Sequence, residues 1–207
     1  MKSLFSILGL SFLSLTLTNC SLSPEQIAFR LKPSNEVSLV SAKGVDYRKL
    51  RDLLKAKKWK DADEETHKRM LEVAGRDSQG IRFLRRERRE DVENFPCQDL
   101  GTIDKLWVKH SDGKFGFSVQ KQIYQDLGGT GTKDYDYKVW LSFQDKVGWH
   151  WIGIEHYDVS YSDSNLENHY ICHLPGGSGE AWVRHSDRWV YGVLGMVLFS
   201  RAETCRL

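Results

Sequence analysis

The sequence predicts an all-α domain behind an N-terminal export segment. Three observations carry that reading. Apolar residues recur three and four apart through successive segments from residue 46 onward, Gly or Pro punctuates those segments, and the first twenty residues have a composition of their own. With 40% hydrophobic and 28% charged residues, 17 Gly and four Pro in 207 residues, the chain is neither collagen, nor low-complexity disorder, nor a polytopic membrane protein. Thirty Lys+Arg against 28 Asp+Glu leave a formal charge of +2, too small for a global positive field, so no nucleic-acid partner is expected.

Lys2 is the only charge before Glu25, and Leu4 to Leu17 form an apolar run broken only by Ser, Thr and Gly, too short to span a bilayer comfortably. Residues 1–19 read as a signal peptide. The run ends Leu17-Thr18-Asn19-Cys20, which resembles a bacterial lipoprotein box and implies lipidation of Cys20, although Asn19 stands where Gly, Ala or Ser is usual. Residues 20–44, with Pro24, Pro33, several Ser and Gly44, read as a tether, and 45–207 as the folded domain. Beyond Cys20 lie Cys97, Cys172 and Cys205. One pair with a free thiol left over is open to them, but they make no disulfide framework, and Cys97 reads as a small buried hydrophobe.

Asp46 is placed to cap a first helix with Tyr47, Leu50, Leu53 and Leu54 inward and Arg48, Lys49, Arg51 and Lys55 outward. A second follows almost without a loop: Trp59, Ala62, Thr66, Met70 and Val73 share a face, the intervening Asp, Glu and Lys are expected in solvent, and Gly75 is the stop. Ser78 to Val92 is a third, carrying Ile81, Leu84 and the run Arg82, Arg85, Arg86, Arg88, Arg89. Glu87, Glu90 and Asp91 temper that run, which reads as a solvated helix face, the alternative being a patch for lipid headgroups or an acidic partner. Pro96 ends the segment. Leu100, Ile103, Leu106 and Trp107 form a short amphipathic helix with Asp99 near its start. Ser111-Asp112-Gly113 turns the chain, and the run from Phe115 opens a helix to Leu127, stopped by Gly128-Gly129. Asp134, Asp136 and Asp145 read as loop carboxylates. Trp149 to Tyr157, extended by Val159 and Tyr161, is aromatic and β-branched enough for a strand. Trp189 to Leu198 is a buried closing helix in which Gly192 and Gly195 permit close packing.

Several of these residues form motifs in register. Asp46-Tyr47 with Leu50 and Leu53-Leu54, Trp59 with Ala62-Asp63 and Thr66, Phe95-Pro96-Cys97 with Asp99-Leu100, Ile103-Asp104 and Leu106-Trp107, and Ser111 to Gln120 resemble, in order and spacing, the genomes-uncoupled porphyrin-binding domain family. Val147-Gly148-Trp149, His173-Leu174-Pro175 and Ser200 to Cys205 continue the resemblance, which covers 46–207.

The resemblance implies a compact helical domain with a cupped ligand face, helix and irregular loop through 149–161, and no catalysis. It implies binding of protoporphyrin or magnesium-protoporphyrin with no intrinsic cofactor and, in regulatory members, stimulation of magnesium chelatase in chlorophyll biosynthesis. By motif match the ligand wall falls on Val108 and Phe117, with Phe115 and Leu174 beside them. The mobile loop after His-Leu-Pro would supply Trp182, Arg184, Arg188 and Trp189, the two tryptophans being equally suited to core packing. Such a set suits a macrocycle with a broad apolar face and two propionates on one edge, which needs an apolar wall open to it and cations at the rim. The chain departs from the family in Cys172 where Gly is typical, in His169-Tyr170-Ile171 where Ala-Pro is usual, in His150 after Val-Gly-Trp, and in the export segment.

From that segment the protein is expected at a membrane, through its lipid or signal anchor, on the extracytoplasmic side, and the resemblance implies a photosynthetic bacterium. The thylakoid or cytoplasmic membrane face is the alternative, and chelatase is a partner only if the chain is not exported. No resident metal is expected: His169, Cys172 and His173, with His156 or His185, lack paired zinc-ligand spacing. Ser178 in Gly177-Ser178-Gly179 lacks the frame of a hydrolase elbow, so the chain is not expected to be an enzyme. The competing function is a helical protein-protein or membrane-surface interaction module that has lost porphyrin binding.

Overall fold

Tyr47, Leu50 and Leu54 are fully buried where the helical part of the chain begins, as their spacing requires. The computed structural model describes residues 37–41, 43–75, 89–130, 136–147, 150–152, 156–158 and 188–207. Cys20, Leu174, Trp182 and Arg184, most of the arginine run, and the His169, Cys172, His173 and Ser178 positions lie outside them. Among the described residues the helices are α1 (Arg48–Lys55), α2 (Trp59–Val73), α3 (Arg89–Glu93), α4 (Cys97–His110), α5 (Phe117–Asp126), α6 (Tyr137–Val147) and α7 (Arg188–Thr204).

Asp46 sits one residue before the cap position of α1 and accepts the Arg48 backbone N–H at 2.9 Å. Hydrogen bonds from the Arg48 side chain and backbone lower its carboxyl to about 2. Trp59, Ala62, Thr66, Met70 and Val73 of α2 are all buried, and Gly75 ends that helix with φ +71. The solvated positions expected between them do not all face water: Asp63 and Glu65 are buried. Glu65 is held there by Lys49 Nζ at 2.7 Å and by Arg69 at 3.1 Å, so two cations offset the cost of burying its charge.

Helix α4 is the central strut. Its face carrying Leu100, Ile103, Leu106 and Trp107 is buried, and the Trp107 indole N–H donates to Thr66 Oγ1 of α2 at 2.9 Å. Asp99, in its first turn, accepts the buried Tyr47 hydroxyl at 2.6 Å. Burial, and then that bond, push the Tyr47 hydroxyl well above the usual phenol range.

Four sequence expectations change. Residues 137–147 form a helix, so Asp145 lies in α6, while Asp136 caps that helix by accepting the Lys138 and Val139 N–H groups at 2.9 and 3.1 Å. Among the described residues of the 149–161 region the chain is extended, not helical: β1 (His150–Ile152) pairs antiparallel with β2 (His156–Asp158), Trp151 opposite Tyr157. β-Branched and aromatic residues prevail there over the family expectation. The closing helix runs past Leu198 to Thr204, because Phe199 and Ala202 continue its buried face. Cys97 is not a buried hydrophobe: it is exposed and forms a disulfide with Cys205 across a sequence separation of 108.

Two apolar clusters result. The first gathers α1, α2, α4 and the end of α7, and the second gathers Val119, Ile123, Tyr124, Trp140, Phe143, Met196 and Phe199 from α5, α6 and α7. Lys121, nearly buried, ties α5 to the end of α7 through Glu203 Oε2 at 2.6 Å and the Leu207 carbonyl at 2.7 Å. The helical domain expected from the sequence is what the described residues form, with one short hairpin added.

Candidate functional site

Val108 and Phe117 fall in different apolar clusters, Val108 in the second and Phe117 in the first, on helices that meet around Gly116. Val108 lies near the end of α4 and Phe117 is the first residue of α5, and the tight turn from Ser111 to Gly116 brings the two helices back against each other. Ser111 builds that turn: its hydroxyl donates to the Trp107 carbonyl at 2.7 Å and accepts the Phe115 N–H at 2.9 Å.

Gly116 is the cap residue of α5 and has φ +141, a conformation that residues with a Cβ rarely adopt. Space demands glycine as well, because a Cβ there would stand 2.8 Å from Asp104 Oδ1 and 2.9 Å from Val108 Cγ2. A glycine has no side chain to cap the helix, and α4 provides the missing acceptor: Asp104 Oδ1 takes the Ser118 N–H at 2.8 Å. Asp104 and Val108 are four apart on α4, so the carboxylate and the valine share the face that meets α5. Sequence reasoning places Asp104 in a motif with Ile103 but gives it no part in the site.

The two residues expected to form a ligand wall are not open to solvent. Val108 is 1% and Phe117 3% exposed, so a flat ligand reaches them only by displacing what covers them. Phe115 faces the first core, 5.2 Å from the Trp59 ring and 6.1 Å from that of Trp107, both edge-on. Arg188 and Trp189 form the first turn of α7, at the chain end of the segment expected to bring cations to the site. Near the base of α4, burial and then Lys109, Lys55 and Arg51 lower the His110 imidazole, keeping it neutral where a surface histidine begins to take a proton. No group of three or more potential metal ligands occurs among the described residues.

Comparison with known proteins now bears on this geometry. A family model described as GUN4-like matches residues 40–189. A protein named tetrapyrrole-binding protein, chloroplastic, from Arabidopsis thaliana is 33% identical over 89 residues, covering 42% of this chain and 32% of its own length. A ycf53 protein from Pyropia yezoensis is 37% identical over 124 residues, 60% of this chain and 47% of its own. The chain thus spans about half or less of the length of these curated relatives. The solved structure of GUN4 from Chlamydomonas reinhardtii superposes with a TM-score of 0.55 at 25% identity, covering 79% of this chain and 94% of that one. The motifs, the helical fold and the matched span agree, and the chain belongs to the GUN4-like family.

Proposed function

We propose that this protein binds a tetrapyrrole, protoporphyrin or magnesium-protoporphyrin, as a carrier or regulator rather than as a catalyst. The observation that carries the reading is the close meeting of α4 and α5, the helices of Val108 and Phe117, at Gly116, in a chain whose relatives include one named for tetrapyrrole binding. In this reading the aliphatic and aromatic side chains supply an apolar wall for the macrocycle, and the guanidinium groups of Arg184 and Arg188 are the partners proposed for its propionates. Burying a few hundred Å² of ring face contributes several kcal/mol before ordering costs, enough for roughly micromolar binding.

Titration with deuteroporphyrin, read by quenching of the seven tryptophans, is expected to saturate in the micromolar range. Phe117→Leu combined with Arg184→Ala is expected to weaken binding at least roughly tenfold, by removing a stacking ring and a propionate partner. Saturation that ignores both changes, or no saturation at all, rejects the assignment. The burial of Val108 and Phe117 favours the second reading, an interaction module with a closed wall, and absence of quenching would select it.

The location belongs to the same proposal: export, lipidation at Cys20, and action at the extracytoplasmic membrane face. The Cys97–Cys205 bond supports it, since such bonds persist in oxidising compartments. No helix among the described residues is long and apolar enough to cross a membrane. In that compartment the protein carries or senses tetrapyrrole; contact with magnesium chelatase requires the alternative, cytoplasmic or stromal, placement. Fractionation of a tagged full-length chain should find the wild type with membranes and Cys20→Ala released from them, and a wild type in the cytosolic fraction would reverse the assignment.

A further inference from the structure

We infer that Asp104 is a positioning residue for the ligand wall, holding Phe117 in register with Val108 by capping a helix to which it does not belong. The inference rests on the tetrapyrrole-binding reading above and extends it to a residue without an expected ligand contact.

Helix α5 begins at Phe117 with no side-chain cap of its own, because its cap residue is Gly116. The direction of its first turn is therefore set from outside. Asp104 Oδ1 takes the Ser118 N–H at 2.8 Å, and Asp104 is nearly completely buried, so little water competes for that bond. Its negative charge also lies at the positive end of the α5 dipole, which strengthens the bond. Ser118 is the next residue after Phe117, and Val108 is one helical turn beyond Asp104 on α4. That hydrogen bond thus ties the start of α5, where Phe117 stands, to the α4 face that carries Val108. The missing Cβ of Gly116 lets the two helices approach closely enough for it, since that atom would push on Asp104 and Val108 together.

The inference makes Asp104→Ala and Gly116→Ala alike in effect, for different reasons: one removes the acceptor and the other forces the helices apart. Each should raise the deuteroporphyrin Kd at least roughly tenfold, the loss of about one charge-assisted hydrogen bond's worth of preorganisation. Asp104→Asn keeps a carbonyl oxygen at the same place without the charge and should restore most of the binding. Met70→Ala, a cavity in α2 and on neither of the two helices that meet at Gly116, serves as the control for lowered stability: its melting point falls but its Kd stays near that of the wild type.

All four variants and the wild type are titrated on the full chain, with thermal melts alongside. If Asp104→Ala misfolds, Gly116→Ala and Asp104→Asn carry the test, Gly116→Ala weakening binding and Asp104→Asn retaining it. Saturable quenching in the wild type with the same Kd in the alanine variants overturns the positioning role and leaves the ligand assignment standing. A Kd that tracks melting point across all variants, Met70→Ala included, also overturns it. No saturable quenching in the wild type overturns the ligand assignment and this inference together.

Discussion

Reduction of the Cys97–Cys205 bond, or Cys205→Ser, is expected to cost about 3 kcal/mol of stability and to lower the melting point by roughly 10 °C. The reasoning starts from the unfolded chain. A link across a sequence separation of 108 removes the freedom of a long loop, worth about 4 to 5 kcal/mol in the chain-entropy account, and measured losses usually fall somewhat below that value. The bond also joins the first residue of α4 to the end of α7, whose last turn is held by Lys121 and by Arg201 donating to the Phe95 carbonyl at 2.7 Å. Those contacts survive reduction, so the domain should stay folded at room temperature while melting earlier. Cys97→Ser, Cys205→Ser and the double variant should melt together, because a bond is removed once whichever partner is lost. A double variant that melts within a degree or two of the oxidised wild type would show the pairing to be absent in solution.

Two helical glycines should respond to alanine with opposite signs. An alanine is worth about 1 kcal/mol over glycine in a helix interior when there is room for its methyl. At Gly101 in α4 there is room: the new Cβ would lie 3.4 Å from Leu207 Cδ2, an ordinary contact, so Gly101→Ala should gain about 0.5 to 1 kcal/mol. At Gly195 in α7 there is none, for the Cβ would fall 2.3 Å from Trp140 Cη2. The indole cannot step aside, because Phe143 at 5.2 Å, Tyr124 at 6.3 Å and Phe199 at 6.4 Å enclose it. Overpacking of that kind outweighs the propensity gain, and Gly195→Ala should lose about 2 kcal/mol net. Denaturant melts of the pair decide the matter: a stabilised Gly195→Ala would mean that α7 does not pack on α6 as described.

How much of this was legible in the sequence follows from how local each cause is. α1 and α2 could be read because spacing, an aspartate and a stop glycine lie within single segments. α6 carried the same signal in Val139, Trp140, Phe143 and Val147, but its carboxylates drew it toward a loop reading. The hairpin is visible in its own residues against the family's pattern, and local preference decides the outcome. Buried Glu65 and the Cys97–Cys205 pair were not legible: each depends on partners far along the chain, and the number of cysteines does not say which two meet. Val108 and Phe117 could be singled out through the motifs they stand in, while the carboxylate that links their helices could not, since a cap borrowed from another helix leaves no mark at the helix it serves.

The cross-link has a further consequence for the shape of the molecule as a covalent object. Val108, Phe117, Arg184, Arg188 and Trp189 all fall between residues 97 and 205, so every side chain assigned to the ligand sits on a covalently closed ring of polypeptide from which the two chain ends branch. A single protease cut within that ring opens it without releasing either piece. A nicked molecule would run at full mass on a gel until a thiol reagent is added, and then as two fragments.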